Sequence, residues 1–283
     1  MTHSGIYMSP VYNGSIEPVT LQDEFGKINI WMLPFVKPSN LRRFFPDEEI
    51  TSYTDAMNVA INNLNINTSE RNIIITHQFV TGAETSESEQ LSVGGSDNVD
   101  VSVFAPFDYT ALGHIHRPQN CSSQNVRYCG TPLKYSFSEC KDQKSVTVID
   151  IKAKGDLCVT TVPLEPLHNM VEIKGKYNEI MMLDYYKDTT YQTDYTHITL
   201  TDEQDIPDVF AKLRTVYRNL MKLDYDNTRT RTSRIIDGAC DVEKKSPFEH
   251  FEHFYQMQNN QPMNTNQTEF IKNLIQEVWE GEK

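Results

Sequence analysis

The sequence lacks a long apolar run and has few basic residues compared with acidic ones. No apolar stretch approaches the ~18 residues that a membrane-spanning helix needs. The first residues, Met-Thr-His-Ser-Gly, lack the basic and apolar regions of a signal peptide. With 26 Lys and Arg against 39 Asp and Glu, the formal net charge is -13, so a nucleic-acid function would rest on local basic patches or on a metal. We therefore expect a cytoplasmic protein without a membrane partner.

Cysteine is sparse and unpatterned. The five cysteines are an odd number, and no Cys-x-x-Cys occurs, which argues for a reducing compartment and against a disulfide framework. Cys121, Cys129 and Cys140 lie near a His-x-His pair, so a zinc site is an alternative. The gaps between these cysteines are wider than those of structural zinc knuckles, which argues against that alternative.

The sequence does contain three histidines at the ends of apolar runs. Residues 72–80 read Asn-Ile-Ile-Ile-Thr-His-Gln-Phe-Val and contain His77, and residues 109–112 lead into Gly-His-Ile-His with His114 and His116. A lone histidine on a strand is more often a core residue than a ligand, but the carboxyl end of strands in an α/β sheet is where ligands bind. Residues i and i+2 of an extended chain point to the same side, so His114 and His116 would face one metal cluster together.

A metal centre of this kind also needs carboxylates. Two divalent ions ~4 Å apart would polarise a phosphoryl group, activate a bridging water and stabilise the departing oxygen. The candidate carboxylates are the acidic residues of the polar stretch 82–100 and Asp108. None of them has a diagnostic position.

The first 165 residues are typical of a layered α/β domain. A helix is predicted over residues 54–64, capped by Thr54 and with an apolar face that includes Met57 and Ile61. It precedes an apolar, β-branched strand predicted over residues 72–76, next to His77, and another strand is predicted over residues 109–112. Further strands are predicted over residues 28–33, 126–129, 145–151 and 157–162, and these strands would close a sheet behind the site.

Two smaller regions follow. Strands over 170–173, 195–200 and 220–223 and a helix over 207–217, with Pro207 at its first position, indicate a small α+β module. The last region is helical, with a capping box at Ser246-Pro247-Phe248-Glu249 and a repeating apolar stripe in each of two helices. The aromatic surface of this hairpin would dock either on the parent domain or on a partner helix.

Several stretches resemble the SbcD family of bacterial nuclease subunits, within the calcineurin-like metallophosphoesterases. They are residues 76–82 (Thr-His-Gln-Phe-Val-Thr-Gly), 91–95 (Leu-Ser-Val-Gly-Gly), 107–109 with 111–119 (Ala-Leu-Gly-His-Ile-His-Arg-Pro-Gln), and 128–139 (Tyr-Cys-Gly-Thr-Pro-Leu-Lys-Tyr-Ser-Phe-Ser-Glu). Residues 219–231 and 254–263 also look like the family. The Gly-His-x-His motif alone occurs in many phosphoesterases, whereas the combination is much more specific.

The resemblance implies a two-metal phosphodiesterase acting on DNA, with Mn2+ as cofactor and Mg2+ as the alternative. The family works with an SbcC-type ATPase as an ATP-dependent double-strand exonuclease and a single-strand and hairpin endonuclease in DNA recombination, replication and repair. The implied assembly is a heterotetramer with two nuclease subunits. By position, His77 and His114 match ligands of one metal, and His116 matches a ligand of the other.

The resemblance also implies a division of the chain. Residues 1–165 would be the C-terminal part of the metallophosphoesterase domain, a partial β-sandwich flanked by helices. Residues 166–238 would form a small α+β capping domain that binds DNA through Arg229, Arg231 and Arg234. Residues 239–283 would form a helical hairpin on the base of the SbcC coiled coil, with Phe251, Phe254, Phe270, Leu274, Val278 and Trp279 as contact residues.

The sequence departs from the family in one respect. The family's Asp-x-His, Gly-Asp and Gly-Asn-His-Asp motifs come before the matched stretches and supply the remaining metal ligands and a general-acid histidine. None of these motifs occurs ahead of the matched stretches in this sequence, and its one Gly-Asp pair, Gly155-Asp156, lies in the turn between two predicted strands. We therefore expect a truncated or mis-started reading frame, or a fragment, that cannot hold a working dimetal centre by itself. Loss of the first strands would leave uncovered edges and apolar faces on their neighbours.

Two other functions are weighed against a nuclease subunit. One is a non-catalytic module that keeps the DNA-capping domain and the SbcC-binding hairpin. The other is a metallophosphoesterase for small phosphoesters, which the C-terminal hairpin argues against.

Overall fold

The computed structural model describes residues 5–89, 98–228, 230, 246–259 and 262–280. The strands are β1 (Val19–Asp23), β2 (Gly26–Leu33), β3 (Arg71–His77), β4 (Phe79–Val80), β5 (Asn98–Val99), β6 (Tyr109–Gly113), β7 (Gln119–Cys121), β8 (Ser123–Tyr128), β9 (Ser145–Ile151), β10 (Leu157–Pro163), β11 (Met170–Gly175), β12 (Tyr195–Leu200) and β13 (Asn219–Tyr225). The helices are α1 (Pro38–Leu41), α2 (Tyr53–Asn62), α3 (Tyr177–Ile180), α4 (Leu183–Tyr186), α5 (Val209–Arg214), α6 (Pro247–Asn259) and α7 (Thr265–Glu280).

A six-stranded sheet with the order β1-β2-β3-β6-β8-β7 forms the centre of the first part of the chain. Strands β2, β3, β6 and β8 run parallel, and the outer strands β1 and β7 are antiparallel to their neighbours. The parallel strands therefore end at a common edge, which is where ligand sites form in α/β folds. The predicted α/β class is confirmed, as are the strands predicted over 28–33, 72–76 and 109–112.

Helix α2 covers one face of this sheet, and its predicted apolar face is correct. Met57 and Ile61 are buried in the main core. The predicted cap was wrong: Ser52 is the N-cap, and its hydroxyl accepts the Asp55 N–H at 3.1 Å. Hydrogen bonds from the Thr51 hydroxyl and from Ser52 lower the pKa of Asp55 to about 2. Thr54 lies in the first turn instead, where its hydroxyl donates to the Asn98 carbonyl at 3.3 Å.

The two faces of strand β3 differ in burial. Ile74 is completely buried with Trp31 and Leu112, whereas Ile75, on the opposite face, is 45 % exposed. The β-branched run predicts burial on both faces, but within the described chain only one face packs against a helix layer. Ile75 is therefore an exposed apolar side chain on the second face of the sheet, while the expectation that missing strands leave this face uncovered stays a prediction.

Strands β9 and β10 form a separate antiparallel hairpin joined through the predicted turn at residues 154–156. The sequence predicted that these strands would close a sheet behind the site. Instead they pair with each other and do not join the central sheet. The buried Arg71 side chain links the two sheets, because its guanidinium donates to the carbonyls of Ile151 and Lys152 and pairs with Asp23. An arginine has five donors in a rigid fork, so one side chain can satisfy this whole set.

Strands β11, β12 and β13 form a third sheet, as predicted. Helix α5 is shorter than the predicted helix over 207–217. Its N-cap, Asp208, has a left-handed backbone with φ of 53°, so Pro207 lies before the helix and not at its first position. The expected capping box of α6 is present, since Ser246 and Glu249 exchange hydrogen bonds of 2.6 and 3.3 Å.

The chain forms two compact units, one of residues 1–199 and 206–224 and one of residues 200–205 and 225–283. Within the second unit, α6 and α7 pack on each other. The Lys272 ammonium lies 4.7 Å from the centre of the Phe248 ring, and the Gln267 amide donates to the Tyr255 hydroxyl at 3.1 Å. The domain boundaries predicted at residues 165 and 238 stay predictions.

Candidate active-site pocket

The three predicted histidines meet in one pocket at the carboxyl edge of the central sheet. The pocket has a volume of about 420 Å³. We call it the histidine pocket, and its lining residues are His77, Ser88, Glu89, Gly113, His114, Ile115, His116, Gly130 and Thr131.

Parallel pairing of β3 with β6 places His77 beside His114. His77 is the last residue of β3 and pairs in register with Gly113, so His114 follows directly at the strand end. The two imidazole centres are 5.2 Å apart with their planes at 86°. Glycine is needed at 113 because an added Cβ would lie 2.8 Å from His77 Nδ1.

The backbone at His114 is not extended. Its φ is 107°, a conformation that residues with a side chain rarely adopt. The extended geometry assumed for His114 and His116 is therefore wrong, although both side chains line the same pocket, as expected. The His114 ring instead stacks on Phe35, with ring centres 6.4 Å apart and planes at 8°.

His116 has a different set of neighbours within the same pocket. Its Nδ1 lies 2.6 Å from the Ser88 hydroxyl, and its backbone N–H donates to Glu89 Oε1 at 2.6 Å. The Tyr135 ring packs edge-on against it, with centres 5.4 Å apart. Glu89 was one of the candidate carboxylates of the stretch 82–100, although its position was not diagnostic. Sequence reasoning did not identify Ser88, because it lies in a polar stretch with no periodic pattern.

The electrostatics of the pocket favour the neutral form of His77. Burial, followed by the proximity of His114 and His116, lowers the pKa of His77. Glu89 is the carboxylate of the pocket. Burial alone would raise its pKa, but hydrogen bonds from the His116 backbone and from Ser86 outweigh burial and lower it. Neutral imidazoles beside an ionised carboxylate are the forms in which these groups ligate metals.

A buried ion pair lies behind His116. Lys144 and Glu139 are 3 % and 0 % exposed, and Lys144 Nζ lies 2.5 Å from Glu139 Oε2. Burial alone would raise the pKa of Glu139, but hydrogen bonds from Lys144, Ser88 and Ser136 lower it to about 2. Lys144 also donates to the His116 carbonyl at 2.8 Å, so the pair fixes the backbone that carries this histidine.

The described residues do not make a complete metal centre. Among them, no group of three or more His, Cys, Asp or Glu side chains is placed to hold one ion. Glu89 is already occupied by the His116 N–H and by Ser86. The three imidazoles have no free carboxylate beside them among the described residues. They would therefore supply only some of the ligands that a two-metal site needs.

The other predicted carboxylates that the structure describes lie elsewhere, and Asp97 lies outside the described residues. Asp108 stands at the opposite end of β6, where it accepts the Asn72 N–H and pairs with Lys154. Glu84 pairs with Arg117 outside the pocket lining. Asp100 caps the 3-10 helix Val101–Phe104, and its hydrogen bonds there lower its pKa.

The structure describes only some of the residues that were predicted to contact DNA and the partner. Arg229, Arg231 and Arg234 lie outside the described residues, and so do the side chains of Val278 and Trp279 on α7. The remaining predicted partner residues lie on α6 and α7 and are 37 to 65 % exposed: Phe251, Phe254, Phe270 and Leu274.

Four of the five cysteines are described, and all four are free thiols: Cys121, Cys129, Cys140 and Cys158. No helix in the described part of the chain has the length and apolar character to cross a bilayer.

Comparison with known proteins gives two kinds of match. Residues 166–259 match the family model SbcD_C, described as the type 5 capsule protein repressor C-terminal domain. The SbcD subunit of the nuclease SbcCD from Staphylococcus epidermidis is 30% identical over 265 residues, covering 92% of this chain and 69% of the relative. Its counterpart from Staphylococcus saprophyticus is 27% identical over 275 residues, covering 96% of this chain and 71% of the relative.

Proposed function

Because the chain belongs to the SbcD family of nuclease subunits, we propose that it acts as the DNA-cleaving subunit of an assembly with an SbcC-type ATPase. The reaction is hydrolysis of DNA phosphodiester bonds, as an ATP-dependent double-strand exonuclease and a single-strand and hairpin endonuclease. Its role is in DNA recombination, replication and repair. The assembly has two nuclease subunits.

The observation that carries the proposal is the convergence of His77, His114 and His116 in one pocket at the carboxyl ends of parallel strands. We propose that these imidazoles serve as metal ligands for Mn2+, with Mg2+ as the alternative. The remaining donors would come from outside the described residues. In this proposal the central sheet and the β9–β10 hairpin are part of a metallophosphoesterase β-sandwich, and the β11–β13 sheet belongs to the capping domain.

A cleavage assay tests this proposal. The purified chain, with and without the SbcC-type ATPase, is incubated with Mn2+, ATP and labelled duplex or hairpin DNA. Single variants His77→Ala, His114→Ala and His116→Ala should each lose more than the ~10–100-fold that outer-shell changes cost. His250→Ala, an exposed residue on α6, is the matched control and should retain activity. Equal cleavage by all four variants would contradict a role for the histidine pocket.

A non-catalytic module is the second candidate function. It is favoured by the lack, among the described residues, of any three-donor metal group. Such a module would bind DNA and the ATPase and would show no Mn2+-dependent cleavage with either. Robust cleavage that depends on the three histidines would exclude it.

The partner contact is proposed to lie on the apolar stripe of α6 and α7. Leu274 is 43 % exposed on α7, so Leu274→Glu should abolish co-elution with the ATPase without unfolding the hairpin. Asn273→Glu introduces the same charge at the preceding position and should leave co-elution intact. Loss of binding in both variants would indicate a general effect of charge and not a defined apolar contact. The mass of the complex by light scattering then tests for two nuclease subunits.

A further inference from the structure

A chain of hydrogen bonds links His116 to the buried ion pair. Ser88 Oγ lies 2.6 Å from His116 Nδ1 and 2.8 Å from Glu139 Oε1. Glu139 Oε1 also accepts from the Ser136 hydroxyl at 2.9 Å, while Glu139 Oε2 pairs with Lys144. Ser88, Glu139 and Lys144 therefore form a continuous line from the protein interior to the imidazole.

The protons along this line can be assigned from the donors and acceptors present. An ionised carboxylate has no proton, and Glu139 is ionised because it pairs with Lys144. The Ser88 hydroxyl has one proton and two lone pairs, and its proton bonds to Glu139. Were Ser88 to donate to His116 instead, its oxygen would face the Glu139 carboxylate without a proton between them. Nδ1 of His116 must therefore be the donor to Ser88.

The surroundings of Ser88 are consistent with this assignment. The Ser86 hydroxyl lies 2.7 Å from Ser88 Oγ, but its single proton bonds to Glu89 Oε2 at 2.8 Å, so a lone pair of Ser88 stays available for His116. Glu89 Oε1 lies 3.8 Å from His116 Nδ1, too far to hydrogen-bond, but its negative charge also favours a proton on that nitrogen.

The backbone of His116 is held as firmly as its ring. Its N–H donates to Glu89 and its carbonyl accepts from Lys144 at 2.8 Å. Gly130 packs against the same carbonyl, where an added Cβ would lie 2.6 Å from the oxygen. The backbone position from which the ring reaches Ser88 is therefore fixed.

We propose that Ser88, oriented by the Glu139–Lys144 pair, is a positioning residue that keeps the proton of His116 on Nδ1 and leaves the Nε2 lone pair for a ligand in the histidine pocket. The inference deepens the proposed function and rests on it for the identity of that ligand, a divalent metal ion. The tautomer itself is a property of this chain and can be measured without a metal.

Nuclear magnetic resonance of the full chain with 15N-labelled histidine tests the tautomer at about pH 8. His116→Gln identifies the signals of His116 by their loss. In the wild-type chain, Nδ1 should show the shift of a protonated ring nitrogen and Nε2 that of an unprotonated one. A wild-type His116 with its proton on Nε2 would overturn the proposal, whatever the variants show.

Two variants separate positioning from a merely structural role. Ser88→Ala should shift His116 towards a mixture of tautomers, and Ser88→Thr, which keeps the hydroxyl, should restore the wild-type pattern. Ser138→Ala is the matched control, because Ser138 hydrogen-bonds to Ser136 and to the Glu87 N–H but does not touch His116. A wild-type tautomer pattern in Ser88→Ala would refute the positioning role.

Titration with Mn2+ alone gives an independent second readout. Ser88→Ala should weaken Mn2+ binding by about 10–100-fold, the range for outer-shell partners of a ligating histidine, whereas Ser138→Ala should not. If neither the wild-type chain nor any variant binds Mn2+ with or without the ATPase, the proposed metal role of the pocket fails. The tautomer measurement still decides whether Ser88 positions His116, so the two failures can be told apart.

Discussion

The Tyr128 hydroxyl bridges two backbone groups in the segment that follows His77. It donates to the Gln78 carbonyl at 2.6 Å and accepts the Val80 N–H at 2.8 Å. All three residues are completely buried, so water cannot replace these bonds. Tyr128→Phe keeps the ring and removes both hydrogen bonds, which leaves one donor and one acceptor buried without a partner.

The expected loss of stability follows from the cost of leaving the Gln78 carbonyl and the Val80 N–H buried without a hydrogen-bond partner. Each buried polar group left unsatisfied costs about 1–3 kcal/mol, so Tyr128→Phe, which leaves two such groups, should lower the free energy of unfolding by roughly 2–6 kcal/mol. Tyr109→Phe is the matched control. Tyr109 is 2 % exposed on the neighbouring strand β6, and within the described chain its hydroxyl has no hydrogen bond. The control should therefore lose no more than about 0.5 kcal/mol.

Urea unfolding followed by Trp31 fluorescence is a suitable assay. Trp31 is 3 % exposed on β2 of the same sheet, and Trp279→Phe removes the signal of the only other tryptophan. The urea midpoint of Tyr128→Phe should fall at an unchanged slope. If Tyr128→Phe loses no more stability than Tyr109→Phe, the two bridging hydrogen bonds do not stabilise the fold.

Three further perturbations have defined outcomes. Lys144→Met leaves the Glu139 carboxylate buried without its counter-ion and should lower the free energy of unfolding in urea by about 3–5 kcal/mol. Adding Glu139→Met should recover most of that loss. No recovery would argue against the unpaired carboxylate as the cause. Gly113→Ala should displace the His77 ring and weaken Mn2+ binding about tenfold, or roughly 1.4 kcal/mol, while a wild-type affinity would mean that the ring adapts at no cost. The hydrogen bonds that lower the pKa of Asp55 stabilise the folded state above about pH 3.8, and this contribution disappears as the pH falls to about 2. Acid unfolding of Asp55→Asn should accordingly depend less steeply on pH in that window, and an unchanged slope would contradict the assignment.

Local pattern was sufficient for much of the fold. The strand ending at His77, the apolar face of α2 and the capping box at Ser246 were predicted correctly, because each depends on residues within one or two turns of each other. The errors lie where a neighbour in space competes with the local signal. Thr54 has the chemistry of a cap, but Asn98 and Asp100 engage its hydroxyl and Ser52 takes the capping role.

The sequence by itself determined where the inner strands of the central sheet lie, such as the strand ending at His77, and that three imidazoles follow strand ends. It also carried the resemblance that identifies the family. Only the tertiary structure decided which groups surround those imidazoles. Ser88 is 28 residues from His116 and 51 from Glu139, and no periodic pattern spans such separations. The positive φ of His114 likewise could not be predicted from its residue type. For this reason the histidines could be read from the sequence, whereas the hydrogen-bond line that orients His116 required the fold.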